Sequence, residues 1–260
     1  MIALHFFSRL YLGLVYLFVI GPMLIIIIDS LNSATSFPSP FETVTLRWYV
    51  AVLRHDEFLT AMRVSAIVAA LAATIATVLG FLAAYALVRY PLRGENAIAT
   101  FLLAPILVPQ IVIGLAMLQP LALLGVQLTL AGLVAVHTIY VMPFTLRLVM
   151  TGLARFDFGL EEAALSLGAG RLRAVRYVTL PLVRTALIAG FVFAFILSFV
   201  NLPLSLFLTN PSTATLPIVM FAYMESRIDP LVAAVASMVV VAAVAITVTV
   251  ERAFRLRLLG

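Results

Sequence analysis

The sequence predicts an all-α integral membrane protein in which residues 1–260 form a single domain with six transmembrane helices. Hydrophobic residues make up 64% of the chain and charged residues only 10%. Soluble domains carry about a quarter charged residues, and a core of this size could not bury so much apolar surface. The third observation is a series of charge-free runs, each close to or above the roughly 20 residues that cross a bilayer as a helix.

The first four spans come from three charge-free runs. Residues 10–28 and 64–88 each suit one span. Residues 98–146 contain no Asp, Glu, Lys or Arg and suit two spans, with a turn expected near residues 120–127.

The last two spans come from residues 185–224 and 230–250. The first of these runs is too long for one span. Its second half, residues 206–224, contains the turn formers LTNPSTATLP and is predicted to be a loop or re-entrant segment.

Arginine placement predicts that both termini are cytoplasmic, because basic residues are retained on that side of the membrane. With six spans, the inner segments hold twelve arginines and the outer segments four. The inner set is Arg9, Arg89, Arg93, Arg147, Arg155, Arg171, Arg173, Arg176, Arg184, Arg252, Arg255 and Arg257; the outer set is Arg47, Arg54, Arg63 and Arg227.

The segment between the first two spans is the longest outer stretch. Its Pro/Ser part predicts a loop, and residues 46–62 predict a short interfacial helix with Trp48 and Tyr49 at headgroup depth.

Two residue types are missing, and each absence excludes a class of chemistry. The chain has no cysteine, so disulfides and thiolate metal sites are excluded. All 16 basic residues are arginine, so the lysine of a phosphate-binding P-loop is absent. The arginines lie between apolar runs rather than on one face, which favours topogenic charge over nucleic-acid binding.

Residues 161–181, EEAALSLGAGRLRAVRYVTLP, interrupt the apolar pattern on the arginine-rich side. Asp157 is expected to cap a helix in which Glu161 and Glu162 occupy the first turn, where negative charge is favourable. One apolar face follows helical spacing and contains Leu160, Ala163, Ala164 and Leu167. Glutamates lie beside this face, and its alanines make it shallow. These features favour docking into a groove of another protein over lying on the lipid surface.

The second half of this stretch is predicted to lead back into the membrane. Gly168 and Gly170 are expected to end the first helix, and residues 171–178 to form a second. Pro181 suits the first turn of the span that follows.

These residues resemble the EAA loop of binding-protein-dependent ABC transporter permeases. That pattern is Glu-Ala-Ala, three residues, Gly, nine residues, an aliphatic residue, one residue and Leu-Pro. Here Glu162-Ala163-Ala164 is followed at those spacings by Gly168, Val178 and Leu180-Pro181.

The resemblance implies a type I ABC importer permease in the bacterial inner membrane, with a cytoplasmic coupling loop over about residues 151–184. It implies that two separate ATPase subunits bind ATP and Mg²⁺, so this chain would hold no cofactor or metal and no catalytic residue. It also implies a second, different permease chain and an extracytoplasmic solute-binding protein. The residues to which it gives a coupling role are Glu161, Glu162, Ala163, Ala164, Gly168, Ala169, Leu180 and Pro181.

Other stretches resemble the polyamine (spermidine/putrescine) branch of these permeases. They are SLNS (30–33), TLRWYVAVL (45–53), VLGFLAAYALVRYPLRG (78–94) and residues 197–237. Polyamine permeases often carry acidic residues in the fifth span, where this chain has Phe199-Val200-Asn201. The resemblance therefore favours a small organic cation, while the missing carboxylate leaves a zwitterionic or anionic solute open.

Polar and aromatic residues within the apolar runs are candidates for the translocation path. Asn201 lies between Phe199 and Phe207, and Gln110 follows Pro109; Tyr140 is one turn from His137. Each polar group has the alternative role of holding helices together. His137 is expected to be a packing residue, since no second histidine or carboxylate completes a metal set.

Two other functions compete with import driven by ATP. A membrane-embedded enzyme would need a nucleophile–base pair or metal cluster within the spans, and His137 has no in-span carboxylate to pair with. An ion-coupled secondary transporter stays as the alternative, although that class typically uses intramembrane ionisable residues.

Overall fold

A computed structural model describes residues 2–35, 40–227 and 229–254 and confirms the all-helical fold class. The elements are α1 (Ile2–Ser30), α2 (Arg47–Leu53), α3 (Asp56–Arg89), α4 (Glu95–Leu103), a 3-10 turn (Ala104–Leu107), α5 (Gln110–Leu123), α6 (Leu130–Leu153), α7 (Gly159–Ser166), α8 (Arg171–Ala174), a π-helical turn (Val175–Thr179), α9 (Leu180–Leu182), α10 (Arg184–Phe199), α11 (Leu216–Ser226) and α12 (Leu231–Phe254).

Four of these helices are long and apolar enough to cross a membrane: α1, α3, α6 and α12. The number rises to six if each of two bent helix pairs forms one span, so the predicted count of six requires two broken spans. The inside or outside location of the ends stays a prediction, and Arg255 and Arg257 lie outside the described residues.

The third predicted span is bent rather than straight. Glu95–Leu107 and Gln110–Leu123 meet at an angle of 106°. Pro109 has an extended backbone with ψ 132° and offers no N–H, so the helical ladder cannot continue through it. The turn that follows α5 contains Gly125 at φ 68°, within the expected 120–127 stretch.

Two element predictions need correction. Residues 206–224 are not loop throughout, because α11 begins at Leu216 and is helical to Ser226. Residues 46–62 are not one short helix: α2 ends at Leu53, and a new helix begins at Asp56, whose carboxylate and that of Glu57 suit an N-terminus. The second span, α3, is therefore 34 residues long.

The chain divides into two compact units, of which the first comprises residues 1–60 and 219–248. In it, Tyr49 Oη shares hydrogen bonds with Ser30 Oγ at 2.6 Å and Ser237 Oγ at 2.8 Å. The Trp48 indole donates to the Asn32 carbonyl at 2.9 Å. These bonds join the end of α1 to α2 and α12 within this unit.

The second unit, residues 61–218 and 249–260, contains the site residues described below. One buried apolar cluster includes Val68, Val136, Ala194 and Leu204, and a second includes Phe81, Leu146 and Val183. Between α3 and α6, the Thr145 hydroxyl donates to the Ala76 carbonyl at 2.8 Å. Close helix contact of this kind needs small residues: Gly80 of α3 and Gly190 of α10 both lie against Thr145 of α6.

Residues 201–215 are not helical, and they pack closely against α5. A Cβ placed on Gly114 would lie 2.8 Å from the backbone oxygen of Leu204, whose side chain is fully buried. Non-helical backbone at membrane depth is tolerated where protein covers it, and this contact provides such cover.

Gly114→Ala is therefore expected to lower the thermal midpoint of the purified protein, because overpacking costs about 1–3 kcal/mol. Gly13→Ala is the matched control, since a Cβ on Gly13 meets nothing within 4 Å and alanine is the better helix former. The midpoints are measured by circular dichroism in detergent. Equal midpoints for the two variants would contradict the close packing of this loop.

Candidate coupling helix and buried polar cluster

Helix α7 presents the predicted apolar face outward. Leu160 is 48% exposed and Leu167 is 90% exposed, and Ala163 is exposed between them. Because large apolar side chains are costly to leave in water, this face has the character of a contact surface. Glu162 is also exposed, whereas Ala164 and Ala169 are partly buried.

The start and end of α7 follow the local sequence. Asp157 is not the N-cap residue as predicted, since Phe158 holds that position, but its carboxylate accepts from N of Gly159, the first residue of α7, at 2.9 Å. Both glutamates lie in the first turn as predicted. Gly168 has φ +87°, a left-handed conformation that favours glycine. The helix therefore ends where the sequence predicts.

Glu161 differs from the rest of the helix because it is buried, at 3% exposure. Its Oε1 accepts from Tyr85 Oη at 2.6 Å, and its Oε2 accepts from Thr179 Oγ1 at 2.7 Å. Arg89 Nε lies 3.9 Å from the same carboxylate. Sequence reasoning did not find these partners, which lie 76, 18 and 72 positions away in the chain and leave no local pattern.

Arg89 also contacts the neighbouring carboxylate. Its Nη2 donates to Glu162 Oε1 at 3.0 Å, and its guanidinium lies 5.1 Å from the Phe158 ring centre. The end of α3 thus contacts α7 at two successive glutamates.

Leu180 and Pro181 do not start the next span as expected. They lie in α9, which ends at Leu182, and α10 begins at Arg184 after a bend of 72°. Arg171–Val178 is helical as predicted, although its second part is the wide π turn. Leu180 is partly buried and Pro181 is exposed.

Three predicted path residues meet in one hydrogen-bonded chain. Asn201 Nδ2 donates to Gln110 Oε1 at 3.1 Å, and Gln110 Nε2 donates to the Tyr140 hydroxyl. Asn201 and Tyr140 are 5% and 6% exposed. Gln110 and Asn201 lie at helix breaks, since Gln110 begins α5 and Asn201 follows the end of α10. Tyr140 lies within α6.

His137 extends this polar cluster as the expected packing residue. Its Nδ1 is 2.7 Å from Ser198 Oγ and its Nε2 is 3.0 Å from Ser205 Oγ. Ser205 Oγ also donates to the Asn201 carbonyl at 3.0 Å. Ser198 and Ser205 were missed because an apolar sequence with serines has no spacing that distinguishes buried partners from exposed ones.

The two phenylalanines do not belong to this hydrogen-bonded chain. Phe199 stacks on Phe195 with ring centres 5.9 Å apart, and Phe207 is half-buried six residues after Asn201.

In the other unit, the Asp229 carboxylate lies at the start of α12. It accepts hydrogen bonds from Leu231 N at 3.0 Å and from the Tyr223 hydroxyl at 2.7 Å. Glu225 and Arg227 are exposed.

Broken spans beside a buried polar cluster are typical of membrane transport subunits. A family model described as the binding-protein-dependent transport system inner membrane component matches residues 76–256. The chain is a member of this family, and thus an inner-membrane permease subunit of an ABC importer rather than an enzyme.

Curated relatives agree with the polyamine-type resemblance. The chain is 34% identical to the spermidine/putrescine transport system permease protein PotC of Escherichia coli, over 87% of this chain and 86% of the relative. It is 33% identical to the putrescine transport system permease protein PotI of Escherichia coli, over 88% and 83%. It is 29% identical to a putative 2-aminoethylphosphonate transport system permease protein of Salmonella paratyphi A, over 77% and 76%.

A solved structure shows the same fold at lower identity. A bacterial ABC transporter involved in the import of the acidic polysaccharide alginate matches with a TM-score of 0.74 and 16% identity, covering 99% of this chain and 97% of that one.

Gln110→Leu is expected to destabilise the protein by about 1–3 kcal/mol, because it leaves the buried Asn201 amide and Tyr140 hydroxyl without their partner. Gln119→Leu is the matched control, since Gln119 lies on the same helix and is exposed. Thermal midpoints of the two purified variants test the cluster, and a midpoint for Gln110→Leu equal to that of the control would show that the hydrogen bonds contribute nothing.

Proposed function

We propose that this chain is one of two transmembrane subunits of an importer driven by ATP, which takes up a small solute from an extracytoplasmic binding protein. The observation that carries the proposal is the exposed face of α7, with Leu160, Ala163 and Leu167 outward and Glu161 held inward. A short helix with a shallow apolar face suits a groove on another protein.

The proposed partner, whose groove would receive α7, is a cytoplasmic ATPase subunit that binds ATP and Mg²⁺. The chain has no lysine with which to build a P-loop of its own, and its family consists of inner-membrane components of transport systems. ATP binding would draw two such ATPase subunits together and displace α7 on each permease. This displacement would switch the spans between inward- and outward-facing states by rigid-body motion.

The proposed path passes the polar cluster of Gln110, Tyr140 and Asn201. Broken helices are typical of transporter binding sites, because the break frees polar groups to face a ligand. Here the breaks at Pro109 and after Phe199 place an amide on each side of the cluster. Phe199 and Phe207 are proposed to line the same path beside it.

The first candidate solute is a polyamine or a similar small organic cation, on the basis of the relatives named for spermidine and putrescine. A specific observation favours a second candidate, a zwitterionic or anionic solute. The cluster residues are all neutral, and one relative is named for a phosphonate that carries both charges. An isolated cation near neutral amides would lack the charge partner that such ligands usually find.

The alternative, an ion-coupled secondary transporter, would be driven by an ion gradient. It would transport without any ATPase subunit. Uptake by the chain alone in vesicles with an ion gradient would therefore overturn the proposal, and the absence of such uptake supports it.

Gly168→Val is expected to reduce uptake at least about tenfold while the protein still inserts, because a β-branched side chain is strained at φ +87°. Gly170→Val is the matched control, since Gly170 has φ −72° and is likewise free of neighbours within 4 Å. Glu162→Lys should also reduce uptake, because it reverses an exposed charge on α7 and removes the partner of Arg89. Wild-type uptake by both Gly168→Val and Glu162→Lys would sink the coupling assignment.

The solute class can be decided on the intact complex. The transporter would be purified with its co-purifying binding protein, and melting of that protein measured with spermidine and with 2-aminoethylphosphonate. Ligand at a hundred times its Kd stabilises a protein by about 2.7 kcal/mol, which is a measurable shift. A shift with spermidine supports the first candidate, and a shift only with the phosphonate supports the second.

A further inference from the structure

The buried carboxylate of Glu161 joins α7 to the end of a different helix. Both of its oxygens are occupied, one by Tyr85 Oη at 2.6 Å and the other by Thr179 Oγ1 at 2.7 Å. At 3% exposure it cannot contact a docked partner in this conformation, although it lies between two exposed residues of α7. Its role therefore lies within the permease.

The helix that it contacts is α3, through two residues on one side of the last turns. Tyr85 and Arg89 are four positions apart and so face the same way. Arg89 Nε lies 3.9 Å from Glu161, and its Nη2 lies 3.0 Å from Glu162. Hydrogen bonds to a charged group are stronger than those between neutral groups, so this is a firm junction.

The chain from α7 to the next span is interrupted at two points. It passes Gly168, at φ +87°, and then the 72° bend before α10. Neither point has a continuous helical ladder, so a displacement of α7 can be absorbed there. By comparison, α3 runs for 34 residues as one uninterrupted helix.

The third partner of the carboxylate comes from an unusual turn. Thr179 is fully buried and ends the π-helical turn Val175–Thr179. Such turns are rare and occur frequently at functional sites. Here the turn supplies the second hydroxyl to Glu161, so the return segment is held to the same carboxylate as α3.

We propose that Glu161 is a positioning residue that passes displacement of α7 to α3, so that the second span moves with the docked helix. The inference rests on the proposed function, in which α7 docks on an ATPase subunit. It adds the route by which this movement leaves α7, through Tyr85 and Arg89 rather than along the chain into α10.

The test uses the complete transporter in vesicles, with its ATPase subunits, partner permease and binding protein. Tyr85→Phe removes one hydroxyl, and Glu161→Gln removes the charge at nearly constant shape. Glu95→Gln is the matched control, since Glu95 is exposed in the first turn of α4. The readouts are the amount of ATPase subunit that co-purifies, the rate of ATP hydrolysis, and the solute transported per ATP.

We expect both variants to retain the ATPase subunits and to hydrolyse ATP, while solute transported per ATP falls about tenfold, as for loss of one hydrogen bond to a charged group. The Glu95→Gln control should match the wild type. The double variant should lose no more than the worse single variant, because both changes break one junction. A merely structural defect would instead lower all three readouts together.

Wild-type transport per ATP in both single variants would overturn the inference and leave the proposed function standing, because docking is read separately from the ATPase subunits that co-purify. Additive losses in the double variant would also overturn it. Failure of the ATPase subunits to co-purify with Tyr85→Phe would do the same, because it would place this junction in docking rather than in transmission.

Discussion

Backbone hydrogen bonding in an apolar medium is the constraint on which the rest of this structure depends. A peptide group in lipid has no water to bind, so spans must be helical or their breaks must be covered by protein. The chain breaks its helices at Pro109, at Val183 and over residues 201–215. At the last of these breaks, Asn201 accepts from Leu204 N at 2.9 Å, and Ser205 donates to the Asn201 carbonyl.

The same constraint explains why the polar side chains collect where they do. Gln110, Tyr140 and Asn201 are neutral and mutually hydrogen-bonded, and His137 is enclosed by Ser198 and Ser205. An unpaired polar group costs most in a low-dielectric interior, so such a cluster is stable only when its members satisfy each other. If the proposed path passes this cluster, a solute competes with these internal bonds, and a ligand with several donors and acceptors is favoured.

At the end of α3 the polar contacts involve charged side chains. Glu161 is buried and has three partners, whereas Glu162, one position on, is exposed and pairs with Arg89. A helix turns about 100° per residue, so adjacent glutamates point in different directions. Both glutamates contact α3, while Leu160, Ala163 and Leu167 stay exposed.

Sequence by itself determined the helical class, the apolar runs, the end of α7 at Gly168 and the EAA spacing, because each depends on composition or on residues within a few turns. Tertiary structure alone decided that Glu161 is buried, that the third span bends by 106°, and that α11 is a helix. Tyr85 and Thr179 lie 76 and 18 positions from Glu161. Contacts at such separations depend on how helices pack, and periodicity along one helix carries no information about its neighbour.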